Sequence, residues 1–233
     1  MIDAEIKRDA RLPAAAYDLA LRLGADPKSD VRNVRLTQTG RMKTKLDAAS
    51  WMSFTARQTI ATRLCAFDWF AHLGPFGLVS ARDALDAGEG RLDVMALGFI
   101  PIARTPHTAA LVRGELMRYL AEIPWAPDAI LRNADLRWRE VGPDTLAVSA
   151  GSGDSACEVA LSLDGDGRIA ATFAPDRPRS AIAPTLPTPW RGRFSDYRRH
   201  GERWIPFAGE VGWEIEGKEI VYWQGQITHW DRS

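Results

Sequence analysis

With 233 residues, 45% of them hydrophobic and 26% charged, the chain has the make-up of a soluble globular protein, and all-β folds of this length commonly form a single domain. The 30 Lys+Arg and 30 Asp+Glu cancel, so no net field draws in nucleic acid or anionic lipid, and neither is an expected partner. No apolar run approaches the ~18 residues of a membrane span, and the opening MIDAEIKRDARLP lacks an apolar core. Integral membrane association and a signal peptide are therefore not expected, and the cytoplasm is the expected compartment.

In chain order, residues 12–25 read as a helix, with Pro13 near its start, Ala16, Leu19, Ala20 and Leu23 on one face and Gly24 at its end. Residues 31–43 read as a strand with Val34 and Leu36 on one face. Residues 51–60 alternate Met52, Phe54, Ala56 and Ile60 against Ser53, Thr55, Arg57 and Thr59, the pattern of a half-buried antiparallel strand. Residues 65–73 and 77–85 look like the next two strands, and Gly88-Glu89-Gly90 is a turn. Residues 92–102 are apolar on both parities (Leu92, Val94, Ala96 and Ile100; Met95, Leu97 and Phe99), which predicts one strand covered on both faces.

The strongest helix signals stand between two series of strands. Val112, Leu116 and Leu120 recur at i, i+4, i+8 and form an apolar stripe, with Arg113, Glu115, Arg118, Tyr119 and Glu122 on the other flank. Glu115 and Arg118 are spaced to pair, as are Arg118 and Glu122. Pro124 stops the helix, Pro127 suits the first turn of a second one, and Asp128 is favourable at its positive end. Trp125 sits in the corner between them. The unit is amphipathic and needs an apolar surface to lie on.

Residues 136–140, 146–150, 157–163 and 168–174 follow as short strands separated by Gly-Pro-Asp, Gly-Ser-Gly-Asp and Asp-Gly-Asp-Gly turns. Residues 175–189 contain five prolines and read as an extended loop. Strands over 190–197, 210–216 and 219–228, with Gly201 and Gly217 turns, finish the chain. Roughly ten or eleven strands, three helices and no βαβ alternation predict a mainly β fold with a helical insertion. The expected form is a single large antiparallel, incompletely closed β-barrel over residues 1–233. Its parts are a helix at 12–25, strands at 31–103, a helical cover at 108–133 and strands at 135–228.

Few motifs carry chemistry. Cys65 and Cys157 stand far apart with no CxxC, and read as buried thiols. His72, His107, His200 and His229 show no ligand spacing, so no metal is expected. Residues 163–168 fit a hairpin turn better than a calcium loop, because Arg168 replaces an acidic ligand. Residues 151–155 have no Gly-Lys-Ser/Thr continuation and read as a turn. The nine Trp outnumber the four Tyr and eight Phe, which suggests a bulky core or an aromatic-lined cavity.

The segments GELMRYLAEIPWAPDAIL, RWREV and PWRGRFSDYRRHGERWIPFAGEVGWEIEGKEIVYWQGQI resemble a bacterial family of uncharacterised proteins, a domain of unknown function. The similar positions are Arg118, Tyr119, Glu122, Trp125, Pro127 and Trp138, then Tyr197, Gly201, Pro206, Glu210, Val211 and Trp213. That resemblance implies no activity. The order of elements is separately similar to that of lipoprotein-carrier folds, in which helices close an incomplete antiparallel barrel over an apolar cavity.

Together these readings predict a Trp-lined pocket for a hydrophobic or aromatic small molecule between curved sheet and cover helices, with no cofactor. Candidate ligand-binding residues are Trp69, Arg82, Tyr119, Glu122, Trp125, Trp138, Arg177 and Trp213. Glu122, beside the Trp125 corner, and Asp83, in an apolar strand, are the candidates for proton transfer. Desolvation would raise the pKa of either. A helix-surface pair for Glu122 and a structural ion pair for Arg82 or Asp83 are the alternatives. A cofactor-independent isomerase, cyclase or hydratase is the second function, and an interaction protein without ligand the third.

Overall fold

The computed structural model describes residues 12–233, and the expectation about residues 1–11 lies outside them. Helix α1 (Ala14–Arg22) leads into β1 (Asn33–Met42), β2 (Met52–Ala61), β3 (Phe67–Leu73), β4 (Val79–Asp86), β5 (Glu89–Ala96) and β6 (Ile100–Arg104). Helices α2 (Ala109–Ala121) and α3 (Asp128–Arg132) follow, joined by a 3-10 turn over Ile123–Trp125. Seven strands complete the chain: β7 (Arg137–Gly142), β8 (Thr145–Ala150), β9 (Cys157–Leu163), β10 (Ile169–Pro178), β11 (Pro187–His200), β12 (Arg203–Ile215) and β13 (Lys218–Arg232).

The thirteen strands of the described residues form one open sheet in the order β6-β5-β4-β3-β2-β1-β13-β12-β11-β10-β9-β8-β7. Each half is an antiparallel meander, and the halves join where β1 pairs with β13. The chain thus leaves one edge of the sheet at β6 and resumes at the other edge with β7. The helical segment makes that crossing. Helix α2 packs on β4 and β5 of one wing and on β8, β9 and β10 of the other, so the sheet curls around it without closing.

Three expectations are corrected. Residues 92–102 are two strands, because Leu97 (φ 53°) and Gly98 (φ 79°) turn the chain between β5 and β6. This hairpin adds one strand, and the described residues form thirteen in all against the expected ten or eleven. Strand β6 is exposed throughout, so its apolar run does not signal cover on two faces. Next, the proline-rich loop shrinks to residues 179–186: β10 runs to Pro178 and β11 starts at Pro187. The ladder shifts register between Ala174 and Arg177, and that irregularity tolerates Pro175, which has no amide to donate.

The third correction concerns α2. Its start agrees with the expected cover from residue 108, where the Thr108 hydroxyl caps the Leu111 amide at 3.1 Å. Glu115 and Tyr119, read as the polar flank, are buried together with Leu116, Met117 and Leu120. The helix is enclosed on several sides instead of lying on a surface. Helix α3 is clamped to β12 by a buried bidentate pair, with Arg203 Nε and Nη2 each donating to Asp128 at 2.7 Å. Gly24 (φ 83°) ends α1 where a Cβ would fall 1.8 Å from the Glu202 carbonyl oxygen, so only glycine fits.

Candidate functional site

The site begins with an interruption of the strand pattern. The inward positions of β1 run Val34, Leu36, Gln38 and those of β2 run Phe54, Ala56, Gln58, Ile60, all buried. A buried amide must find partners or lose its water without compensation. Here the Trp69 indole donates to Gln38 Oε1 at 2.9 Å, and Gln38 Nε2 donates to Gln58 Oε1 at 3.2 Å. Gln58 Nε2 in turn donates to Glu122 Oε2 at the end of α2.

One helical turn earlier, Arg118 donates Nε to Glu122 Oε1 at 2.8 Å and Nη1 to Asp83 Oδ2 on β4. Its guanidinium lies 4.8 Å from the Phe67 ring centre and 5.3 Å from that of Trp69. The expected i, i+4 pair of Arg118 with Glu122 is present, whereas Glu115 turns to the interior. The roof helix is therefore tied to β2 and β4 by charged hydrogen bonds.

Beside this network lies a cavity of about 200 Å³ between α2 and the sheet, with Trp69, Trp125, Trp190, Trp223, Phe194 and Tyr222 among its walls. Trp223 stacks on Phe54 with centroids 5.7 Å apart, and Trp125 meets Trp223 and Phe194 edge-on at 6.3 and 5.3 Å. Trp125 is fixed by donating its indole N–H to the Pro206 carbonyl at 3.0 Å. Gly40, Gly225 and Gly209 stand side by side on β1, β13 and β12. A Cβ on Gly225 would meet the Trp223 ring at 2.3 Å, so the glycines let the rings lie against the backbone.

At the other wall, Thr172 and Arg177 on β10 line the same space. The Arg177 guanidinium stacks 4.2 Å from the centre of Trp190 and 5.7 Å from that of Trp213. Glu115 lies within hydrogen-bond reach of Asp83, whereas the buried Thr172 Oγ1 and Arg177 Nε have no hydrogen-bond partner. Three carboxyls (Asp83, Glu115, Glu122) thus share a buried region with two guanidinium groups (Arg118, Arg177). Burial, then the charge of Asp83, pushes the Glu115 carboxyl well above the usual carboxylate range. These surroundings favour the neutral form of Glu115.

Of the residues singled out from sequence, Trp69, Asp83, Glu122, Trp125 and Arg177 line the cavity. Arg82 does not. It points to the other face of β4, pairs with Asp68 at 2.6 and 3.0 Å and borders an outer groove with Arg35 and Arg57. Neighbouring strand residues face opposite ways, so Arg82 and Asp83 cannot share one pocket. Tyr119 is buried away from the cavity, donating its hydroxyl to the Ala61 carbonyl and accepting from Asn133, both at 2.9 Å. Trp138 is buried on β7 outside the lining, and Trp213 stands one layer back, stacked on Tyr222.

Gln38, Gln58, Thr172, Trp190 and Trp223 were not singled out from the sequence, and Glu115 was read only as a surface-pair residue. The one available signal was a glutamine at an inward position of two adjacent strands. Among the described residues no group of three or more His, Cys, Asp or Glu is placed to hold a metal ion. Cys65 and Cys157 are free thiols, pushed up to about 12 and about 11, chiefly by burial. No helix among the described residues is long and apolar enough to cross a membrane.

Among curated proteins none matches this chain. Among solved structures it is similar to the crystal structure of a LolA superfamily protein from Nitrosomonas europaea, with 10% identity, 93% of this chain and 92% of that one covered, and a TM-score of 0.48. The model of a family of unknown function, DUF6544, matches residues 5–225. With nearly its whole length matched, the chain belongs to that family.

Proposed function

We propose that the protein binds one small apolar or aromatic molecule in the cavity beneath α2. The observation that carries this reading is the pairing of an aromatic-walled space of about 200 Å³ with a polar network along its side. Native interiors rarely leave voids, so a space of this size between helix and sheet calls for an occupant. It falls below the ~300–1,000 Å³ of pockets for drug-sized ligands and above the ~150 Å³ of an engineered cavity that admits benzene. A single ring with a short side chain is the size of guest it accommodates.

The test is titration of the full chain with 3-phenylpropionate, 3-phenylpropanol and 3-phenylpropylamine, followed by ¹H–¹⁵N NMR. Binding of any of the three is expected to move the indole N–H signals of Trp69 and Trp125. Ala121→Leu, which fills the cavity from the α2 side, is expected to abolish the shifts while the spectrum stays folded. If none of the three compounds moves those signals in the unmodified protein, the reading is wrong.

A second reading, proton transfer on a bound molecule, is supported by Asp83 and Glu122 both lining this space. It predicts a compound of this size returned from the protein as an isomer or with water added or lost, and Asp83→Asn would stop that conversion.

A further inference from the structure

Most charged groups around the cavity have a partner. Arg118 is held by Asp83 and Glu122, and Glu210 accepts from Arg193 at 3.1 Å and from Gln224 at 3.2 Å. Asp176, next in sequence to Arg177, is paired with Arg113 at 2.6 Å. Arg177 is different. It is only 9% exposed, and among the described residues its side chain makes no ion pair and no hydrogen bond; its Nε is enclosed without an acceptor. Its flat faces rest on Trp190 and Trp213, which hold the guanidinium in place without neutralising it. Removing an arginine from water with nothing to accept its N–H groups is costly, and an arginine so placed matches a planar oxyanion. Thr172 supplies a second donor on the same strand and in the same lining, a buried hydroxyl with no partner.

From this we infer that the guest is an apolar carboxylate, an aromatic or short aliphatic acid whose anionic end is received by Arg177 and Thr172. Its body would lie among Trp125, Phe194 and Trp223. The inference rests on the cavity being a binding site, as proposed above, and adds the charge of the occupant and the residue that reads it. The nearby carboxyl that would oppose an anion is Glu115, whose neutral form is favoured by burial and by Asp83. Asp83 and Glu122 are engaged by Arg118.

The same three compounds share one ring and chain length and differ only in the charge of their end group, so comparing their affinities by calorimetry isolates that charge. The acid is expected to bind at least tenfold more tightly than the alcohol, and the amine more weakly than either. Arg177→Gln is expected to remove the preference for the acid while leaving affinity for the alcohol within about threefold. Arg82→Gln, on the outer face, leaves the ranking unchanged. If Arg177→Gln does not fold, Arg177→Lys keeps the charge but loses the planar fork, and a fall in the acid's affinity of severalfold is expected. Equal binding of acid and alcohol, or preference for the amine, would overturn the anion site and leave the pocket standing. Binding of none of the three would remove both.

Discussion

Replacing Glu115 by glutamine gives the most direct measure of the charge balance under α2. Glu115 is 4% exposed and its carboxyl is held well above the usual range, first by burial and then by Asp83. In the unfolded chain the same group ionises near its ordinary value of 4.5. Between that pH and the raised folded value, the native state keeps a proton that the unfolded state has released. Stability therefore falls as pH rises through this window, by up to about 1.4 kcal/mol per pH unit for one proton, and levels off above the folded value. Glutamine carries no such proton, so Glu115→Gln should be close to neutral at pH 4 and increasingly stabilising relative to the parent towards pH 7. For a chain of this length each kcal/mol moves Tm by about 2–4 °C, which is readily resolved. The assay is urea unfolding of both proteins at half-unit steps from pH 4 to 8, taking the difference at each pH so that all other titrations cancel. A difference that stays flat, or that turns against the variant as pH rises, would mean that Glu115 is ionised and paired in the native state, and the reasoning would fail.

Three other outcomes follow from particular contacts. Asp128→Ala strands a buried guanidinium on Arg203 and should cost about 3–5 kcal/mol in urea unfolding, while the apolar double replacement Asp128→Leu/Arg203→Met should recover most of it. Gly225→Ala places a methyl group 2.3 Å from the Trp223 ring; it should cost about 1–3 kcal/mol and weaken probe binding as the ring is displaced. Cys65, pushed up to about 12, should react with iodoacetamide at pH 8 on the order of a thousandfold more slowly in the native protein than after unfolding, as read by mass spectrometry.

Where the sequence was legible, one face of each element was uniformly apolar. Strand β2 declares itself through Phe54, Ala56 and Ile60, and α1 through Ala16, Leu19 and Ala20. The Trp125 corner was placed by two prolines whose effect on backbone is local. What escaped was set by the surroundings. A helical wheel separates polar from apolar residues but not solvated polar residues from enclosed ones, so Glu115 and Tyr119 were assigned to a surface that α2 does not have. Leu97 takes a left-handed turn that a residue with a Cβ does not announce. Arg82 and Asp83 were both given to the pocket, although period-two geometry allows only one. Ala81 and Asp83 line the cavity together, and Arg82 falls to the outer groove.

The cavity persists because both of its boundaries resist collapse. A helix resting on a sheet ordinarily settles until side chains interdigitate, and apolar walls alone would let α2 do so. Here Arg118 and Glu122 reach across to Asp83 and Gln58, and these hydrogen-bonded chains fix the height of the helix by their covalent length. On the opposite side Gly209 lines the space without a side chain to fill it, and Gly40 and Gly225 leave room for the Phe54 and Trp223 rings. An apolar substitute for the charged chains would in general fold at least as stably. A buried set of ions that holds a roof at a distance, above a floor cleared by glycines, is thus poorly explained by stability and well explained by a guest. Arg177, among the described residues the arginine of this lining with no ion pair or hydrogen bond, is then the end of the space at which the proposed guest would be held.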